Sequence, residues 1–312
     1  MLQAQRFEPV STTGRWYKGN THSHTINTDG DSPPDTVVKW YKTNGYNFLV
    51  VSDHDTITEP STLRQFADSA FILVRGEEVT GRFDRVPVHL TALNPGRIVK
   101  PRSAASVAAT LQANIDAVRA AGGVPLINHP NYRWALDQPM LATSRDVSLF
   151  ELYNGHPHVH NDGGGESPST EALWDALLST GRRIYGVASD DSHHWRRWGR
   201  EHVNPGKGWI YVHADRLDPA ELVRALEAGQ FYASTGVELE DYRVGENTIE
   251  LRIKQDHDFK YTTEFIGDGG RVLARDHSLQ ARYTLQPGVK YVRARISDSG
   301  GRTAWTQPVF VK

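Results

Sequence analysis

Residues 46–55 read Tyr-Asn-Phe-Leu-Val-Val-Ser-Asp-His-Asp, a short apolar run that ends abruptly in titratable side chains. Aromatic and β-branched residues dominate the run, which is typical of a buried strand. Similar runs recur between residue 16 and about residue 233 and alternate with segments of helical periodicity. The predicted strands are Trp16–Gly19, Tyr46–Val51, Phe71–Val79, Val86–Leu93, Val124–Ile127, Val147–Tyr153, Ile184–Ala188 and Gly208–Val212.

Helices are predicted between several of these strands. The segment 104–121 carries apolar residues at helical spacing and is ended by Gly122-Gly123. Asp218 and Pro219 are typical of an N-cap and a first helical residue. The alternation of strands and helices favours an α/β layer or barrel with parallel strands. The predicted helices are Pro34–Thr43, Ala104–Ala121, Thr170–Thr180 and Pro219–Ala228.

The pattern changes after about residue 236. Ile249, Leu251 and Ile253 alternate with charged residues, and Gly-rich turns separate similar runs farther on. This alternation predicts a small antiparallel β unit with one solvated face, packed directly on the preceding part. The predicted organisation is an N-terminal extension (1–15), an α/β domain (16–235) and a C-terminal β domain (236–312).

The composition restricts the chemistry open to the chain. It has 312 residues, 14 histidines, no cysteine and a formal net charge of −2. Disulfides, iron–sulfur clusters and cysteine nucleophiles are therefore excluded, and any metal must be held by His, Asp or Glu. No apolar run is long enough for a transmembrane helix, and residues 1–15 lack the apolar stretch of a signal peptide. A cytoplasmic location is expected, and an extracytoplasmic one stays open if a leader was trimmed.

Histidines and carboxylates follow the predicted strands one after another. In an α/β barrel the carboxyl ends of the strands meet on one face, so these scattered side chains are expected to converge. Imidazole and carboxylate ligands together suit Zn, Mn or Fe. The motifs at or near the strand ends are His22-Ser23-His24, Asp53-His54-Asp55, Glu77-Glu78, His89, His129, Glu151 and Asp190-Asp191-Ser192-His193.

The order of these motifs resembles that of the PHP superfamily (polymerase and histidinol phosphatase). His-x-His, Asp-Gly, Ser-Asp-His-Asp, Gly-x-Glu, Asn-His-Pro and Asp-x-His succeed one another within about residues 16–235. The stretches 153–155, 186–193 and 231–236 resemble the branch that includes carbamate hydrolases. The resemblance implies a distorted, TIM-like (β/α)7 barrel with two or three divalent metal ions, acting mostly on phosphoesters.

Carried over to this sequence, the family pattern implies three groups of metal ligands. Glu78 and Asp191, rather than their neighbours Glu77 and Asp190, fit the spacing of the motifs. Occupancy of the third group stays open, because relatives carry either histidine or aspartate at the position of Asp29. The first group is His22, His24, Glu78 and Asp191; the second is Glu78, His89 and His129; the third is Asp29, His54 and His193.

The resemblance also implies roles in catalysis. A hydroxide bridged by two metals would attack phosphorus or a carbonyl carbon, and His193 or His54 would protonate the leaving group if not committed to metal. Asp53 and Asp190 are expected to orient imidazoles. This predicts a phosphoesterase; a carbamate, ester or amide hydrolase with the same centre, or a non-catalytic metal-binding protein, are the alternatives. The predicted catalytic residues are Asp191, His193, His54 and Glu78.

Basic residues near the motifs are candidates for binding a small, anionic substrate. The loop 156–165 is either a mobile lid or a polar surface loop. The loop 194–200 is either an anion-binding segment or a solvated one. The candidate substrate-binding residues are Arg133, His156, His158, Arg196, Arg197, Arg200 and Lys207.

A nucleic-acid partner is disfavoured by the balanced charge and the missing polymerase region, and no membrane partner is expected.

Overall fold

The computed structural model describes residues 14–311, so most of the predicted N-terminal extension lies outside it. None of the helices in this range has the length and hydropathy needed to cross a lipid bilayer. Short 3₁₀ helices occupy Pro60–Phe66 and Asp268–Gly270. The α-helices of this range are α1 (Pro34–Thr43), α2 (Val107–Ala120), α3 (Gln138–Thr143), α4 (Thr170–Ser179) and α5 (Pro219–Glu227).

Side-chain caps fix where two of the predicted helices begin. The Ser106 hydroxyl accepts from the amide of Ala109 over 3.1 Å, so α2 begins three residues later than the apolar pattern predicts. Asp218 accepts from the first amides of α5, and Pro219 opens that helix as expected. The short helix α3 was not predicted from the sequence.

The strands up to residue 235 form two sheets of mixed direction. In the first sheet, β1, β2 and β3 are parallel neighbours, while β9 lies antiparallel to β1 and β10 antiparallel to β9. In the second, β4, β5 and β6 are antiparallel, and β6, β7 and β8 are parallel. The strands are β1 (Arg15–Asn20), β2 (Phe48–Val50), β3 (Ile72–Val74), β4 (Gly76–Phe83), β5 (Val86–Leu93), β6 (Val124–Ile127), β7 (Leu149–Asn154), β8 (Tyr185–Ser189), β9 (Trp209–Ala214) and β10 (Phe231–Ser234).

The α/β class is confirmed, but two details of the prediction are wrong. The single strand predicted at Phe71–Val79 is broken at Arg75 into β3 and β4, which belong to different sheets. Arg75 holds this break because its guanidinium bonds to Glu59 and to the carbonyl of Pro95. The strands are also not all parallel, and their hydrogen bonds close no barrel among the described residues. The (β/α)7 barrel is therefore not confirmed.

Apolar side chains from both sheets form one core between them. Leu90, Phe150 and Ile210 are each fully buried there. Each such side chain contributes about 2 kcal/mol by leaving water. On the opposite face of the first sheet, α1 packs Val38 and Tyr41 against the strand residue Leu49. Covered on both sides, the strands hold their carboxyl ends in fixed positions.

The strands after residue 236 are antiparallel to their partners, as predicted, and most extend the first sheet. Only β11, β12 and β15 form a separate three-stranded sheet. β17 pairs with β10, so the first sheet runs across the predicted boundary at 235/236, and that division stays a prediction. The strands are β11 (Leu239–Val244), β12 (Thr248–Ile253), β13 (Tyr261–Gly267), β14 (Arg271–Asp276), β15 (Gln280–Thr284), β16 (Tyr291–Asp298), β17 (Thr303–Thr306) and β18 (Val309–Phe310).

A buried ion cluster fastens the C-terminal strands to α4. The guanidinium of Arg293, on β16, is fully buried and bonds to Asp175 over 2.6 Å and to Glu171 over 2.7 Å. The hydroxyl of Tyr291 donates to the same Asp175 over 2.8 Å, and the Trp174 ring lies 4.9 Å from the guanidinium. These contacts join α4, which packs beside the strands that carry the site, to the last part of the chain.

Replacing Arg293 with methionine should destabilise the protein strongly, because Asp175 would remain buried without its counter-ion. We expect a loss of about 3–5 kcal/mol in the free energy of unfolding, measured by urea denaturation. The control is Arg252→Met, which removes an exposed pair with Glu240 and should cost at most about 1 kcal/mol. Equal losses in the two variants would show that the buried cluster does not hold the C-terminal strands.

Candidate metal centre

The His-x-His and Asp-x-His motifs lie side by side beyond the ends of β1 and β8. Their central residues, Ser23 and Ser192, form an isolated parallel bridge, and the amide of His24 donates to the carbonyl of Ser192 over 2.9 Å. In the His-x-His motif, alternate residues of extended backbone share a face. The bridge brings Asp191, whose φ is 51°, and His193 to the same space. The side chains brought together in this way are those of His22, His24, Asp191 and His193.

The segment after β2 aligns with the same motif. The amide of Ser52 donates to the carbonyl of Ser23 over 2.9 Å. Two residues farther on, His54 forms a second isolated bridge with Glu78 of β4. The hairpin of β4 and β5 is thereby joined to the first sheet at the site, and it brings His89 with it.

A tight turn returns Asp29 to the site. The amide of Gly30 donates to the carbonyl of Thr25 over 3.0 Å. A Cβ atom at position 30 would lie only 2.7 Å from the carbonyl oxygen of His24, so this close approach requires glycine. His129 follows β6 and completes the cluster. The structure therefore brings all nine residues of the predicted ligand set together.

The ligands were expected to converge because the carboxyl ends of parallel strands meet on one face. This expectation is wrong for Glu78 and His89. Both lie within the antiparallel hairpin of β4 and β5 and not at the carboxyl ends of parallel strands. The break at Arg75 places Glu78 as the third residue of β4. Strand alternation then separates the two glutamates: Glu78 faces the histidines, whereas Glu77 accepts from the amide of Val99 over 2.7 Å.

The most deeply buried ligand-type atoms surround one point. The Nε2 atoms of His22 and His24 each lie 3.2 Å from Oδ1 of Asp191 and 3.5 Å from an oxygen of Glu78. Neither Nε2 atom has a hydrogen-bond partner, although both are buried. Ligands about 2.0–2.2 Å from a tetrahedral ion lie roughly 3.3–3.6 Å apart. The spacing thus fits atoms that face a common metal ion rather than each other.

Two further groups adjoin this one. Oε1 of Glu78 lies 3.1 Å from Nδ1 of His89 and 3.2 Å from Nε2 of His129. Asp29 lies 3.3 Å from Nε2 of His54 and 3.4 Å from Nε2 of His193.

The groups defined by the mutual distances of the ligand atoms differ from the predicted sets in three respects. Glu78 is absent from the group of His22, His24 and Asp191. His22 accompanies Glu78 and His129 where His89 is expected. His24, whose Nδ1 is 3.6 Å from Asp29, joins the third group. Both imidazoles therefore lie between two candidate positions for a metal ion, and the assignment of each ligand to one ion stays a prediction.

The charge states of Glu78, Asp191 and His24 suit metal binding. Burial is the largest single influence on the pKa of Glu78 and of Asp191, and it raises both values. The surrounding imidazoles together outweigh burial and hold both pKa values well below the usual range. Burial, followed by the neighbouring His193, lowers the pKa of His24 to about 4. Ionised carboxylates and a neutral imidazole are the forms that coordinate a divalent ion.

Glu151 contacts two of the predicted ligands, a position that the sequence did not reveal. Its Oε1 atom accepts from Nδ1 of His22 over 2.7 Å, and its Oε2 atom accepts from the amide of His129 over 2.7 Å. Asn154 donates to the same Oε2 and also to Asp191. A carboxylate on the far nitrogen of a ligating imidazole fixes its orientation and tautomer. The available signal was a glutamate inside the apolar strand β7.

The roles expected of Asp53 and Asp190 are wrong. Asp53 accepts from the amide of Thr25 over 2.7 Å and from threonine hydroxyls, and so it shapes the turn that carries Asp29. Asp190 accepts from the amides of Lys207 and Gly208 and from the hydroxyl of Tyr41. Both carboxylates organise backbone around the site and have no imidazole partner among residues 14–311.

A cavity of about 110 Å³ opens over the cluster and is lined by two further side chains, Tyr132 and His156. Nδ1 of His156 accepts from the amide of His158 over 3.1 Å, so the ring proton resides on Nε2. Burial is the main cause that lowers the pKa of His156 to about 4, which keeps the ring neutral. His156 can therefore donate one hydrogen bond to a molecule in the cavity.

The other candidate substrate-binding residues are not brought to this cavity. Lys207 is occupied, since its ammonium donates to the carbonyl of His202 over 2.7 Å. Arg133 lines a larger adjoining cavity. The remaining candidates are exposed and line neither cavity, so their roles stay predictions: His158, Arg196, Arg197 and Arg200.

Comparisons with known proteins bear on the fold. No family model matches, and no curated protein matches. A two-domain protein from Bacteroides vulgatus ATCC 8482 containing a predicted PHP-like metal-dependent phosphoesterase is 15% identical, with a TM-score of 0.52 over 95% of this chain and 93% of that chain.

Two further solved structures are less similar to this chain. An amidohydrolase from Chromobacterium violaceum is 13% identical, with a TM-score of 0.40 over 56% of this chain and 87% of that chain. A candidate metal-dependent phosphoesterase from Bifidobacterium adolescentis ATCC 15703 is 17% identical, with a TM-score of 0.43 over 60% and 89%. The fold of this chain is therefore similar to that of the Bacteroides protein.

Proposed function

We propose that this protein is a metal-dependent phosphoesterase acting on a small anionic substrate. The observation that carries the proposal is the set of buried imidazole nitrogens without hydrogen-bond partners. Nε2 of His22 and both ring nitrogens of His24 are in this state, 3.2–3.6 Å from carboxylate oxygens. Orphaned polar atoms in a protein interior cost free energy unless a ligand satisfies them.

The donor set fits divalent metal ions of the Zn, Mn or Fe type. All donors are imidazole nitrogens or carboxylate oxygens, a mixture that these ions accept in open catalytic sites. Metals bound there would supply a water of lowered pKa as the nucleophile and would offset charge on the substrate oxygens. The residues that would hold them are His22, His24, Asp29, His54, Glu78, His89, His129, Asp191 and His193.

The chain's own groups orient the ligands and meet the substrate. Glu151 holds Nδ1 of His22, which leaves Nε2 free to face the cluster. The Thr80 hydroxyl bonds to Nδ1 of His54 over 2.7 Å, so Nε2 of that ring faces Asp29 and the cavity. The neutral Nε2–H of His156 donates to a substrate oxygen at the cavity wall. His54 and His193 are partly exposed at its mouth. When the third ligand group holds no metal, these two imidazoles are placed to return a proton to the leaving group.

Glu78 contacts imidazoles of all the candidate groups. Glu78→Gln removes the central negative charge, so we expect loss of bound metal and at least a hundredfold loss of turnover. Metal content is measured by elemental analysis and turnover with p-nitrophenyl phosphate.

The matched control is Glu77→Gln, the neighbouring residue on the opposite face of β4. Burial raises the pKa of Glu77 to about 7, so the amide imitates its protonated form. This variant should retain both metal and activity. Retention of metal and turnover by Glu78→Gln would refute the proposed centre.

Glu151 does not line the cavity. Glu151→Gln keeps the shape of the side chain but removes the carboxylate that fixes His22. We expect metal affinity to fall about 10- to 100-fold, measured by competition with a chromophoric chelator. The control is Glu166→Gln, in an exposed loop. An unchanged affinity in Glu151→Gln would mean that the carboxylate has only a packing role.

A panel of substrates separates phosphoester hydrolysis from carbamate or carboxylic ester hydrolysis. The metal-loaded protein should hydrolyse p-nitrophenyl phosphate or bis-p-nitrophenyl phosphate and leave naphthyl carbamate and naphthyl acetate intact, because the substrate is anionic. Activity on the carbamate or acetate alone would mean that the protein is a carbamate, ester or amide hydrolase with the same centre and not a phosphoesterase. A metal-loaded protein that turns over none of these compounds would contradict both.

A further inference from the structure

A second and larger cavity, of about 710 Å³, adjoins the one over the metal cluster. The two share the side chains of His89 and Tyr132 on their walls. A molecule held at the cluster can therefore extend past these two residues without leaving the protein surface. Small-molecule sites commonly measure about 300–1,000 Å³, so the larger cavity has room for a substantial part of a substrate.

Three arginines line this second cavity. Arg82 and Arg85 come from the end and the turn of the β4–β5 hairpin, and Arg133 comes from the loop after β6. None of the three forms an ion pair within residues 14–311, whereas Arg75, nearby on the chain, is tied to Glu59. The guanidinium of Arg133 lies 5.5 Å from the centre of the Tyr132 ring.

The acidic residues of the same wall do not neutralise these arginines. Asp55 uses Oδ1 to accept from the amide of Thr80 over 2.8 Å, and Asp84 lies in the hairpin turn with a φ of 50°. Both line the cavity, but neither forms an ion pair with a described arginine there. Three exposed arginines that line one cleft and form no ion pair among residues 14–311 are suited to bind carboxylate or phosphate through paired hydrogen bonds.

The loop that presents Arg133 is held in an unfavourable conformation. Arg133 and Trp134 have φ values of 53° and 55°, the left-handed region that costs non-glycine residues about 1–2 kcal/mol each. The side chain of Asn131 maintains the loop by donating to the carbonyls of His160 and Pro168 over 2.9 and 3.0 Å. Backbone strain kept in place by surrounding bonds is characteristic of ligand-binding positions.

Resting on the proposed phosphoesterase activity, we infer that Arg82, Arg85 and Arg133 form a subsite for a second anionic group of the substrate. The substrate class is a small phosphoester that carries a further phosphate or carboxylate away from the ester to be cleaved. A nucleic-acid strand fits less well, because the chain has a net charge of −2 and its described residues offer no extended basic surface in the cleft beyond these three arginines.

The test compares substrates that share one ester and differ only in the second charge. One pair is propane-1,3-diol monophosphate and bisphosphate, and the other is glycerol 3-phosphate and 3-phosphoglycerate. The enzyme is the metal-loaded full chain, as wild type and as R82Q/R85Q/R133Q. The control is R243Q/R252Q/R282Q, which removes the same charge from the three-stranded sheet of β11, β12 and β15.

We expect the wild type to prefer the doubly anionic member of at least one pair. The pair that shows the preference tells whether phosphate or carboxylate is recognised. In R82Q/R85Q/R133Q the ratio of kcat/KM values should fall about tenfold or more, the effect of losing one charge-assisted hydrogen bond. An unchanged ratio, or an equal fall in the control, would overturn the subsite.

A binding measurement keeps this inference separate from the activity. Propane-1,3-diol bisphosphate is titrated calorimetrically into the metal-free wild type and both triple variants. Affinity that falls about tenfold only in R82Q/R85Q/R133Q supports the subsite even if no phosphoester is hydrolysed. Absence of binding to the wild type, or tighter binding of a single-stranded oligonucleotide than of the bisphosphate, overturns it.

Discussion

The structure depends on the burial of one carboxylate, Glu78, among imidazoles. A buried charge is tolerated only when it is paired, because its desolvation is costly. Glu78 is 1% exposed and is approached to within 3.5 Å by nitrogens of five histidines. These histidines come from four separate segments, so the folded positions of β1, β2, β5 and β6 are all coupled to the charge of this one side chain.

The scaffold satisfies this requirement by combining strands of opposite direction. Parallel strands alone would present ligands only from their carboxyl ends. The antiparallel hairpin of β4 and β5 approaches from the side and adds Glu78 and His89. The hairpin also forms one wall of the second cavity, which Arg82 and Arg85 line. On the far side, Arg293 binds α4 to the C-terminal strands, and Gln307 bonds to both backbone groups of Gly186 in β8. The rigid site is thus supported by the last strands of the chain.

Short-range spacing made most of the site predictable. The x-positions of His-x-His and Asp-x-His fix the direction of both flanking side chains, and alternation separates Glu78 from Glu77. The break at Arg75 was not predictable, because it depends on contacts with Glu59 and Pro95 that lie 16 and 20 residues away. Glu151 was equally hidden: its partner His22 is 129 residues distant. The helix α3 has only six residues, too few for a periodic signal.

The charges of the cluster also determine what metal uptake must do. Four carboxylates have pKa values held below their usual range: Asp29, Glu78, Glu151 and Asp191. Four imidazoles have raised pKa values, His22, His129, His193 and His54, the last to about 11. The metal-free cluster is therefore balanced by protons on its own ligands. A divalent ion held by these residues would take the place of the protons, so its binding would release them and would strengthen as the pH rises.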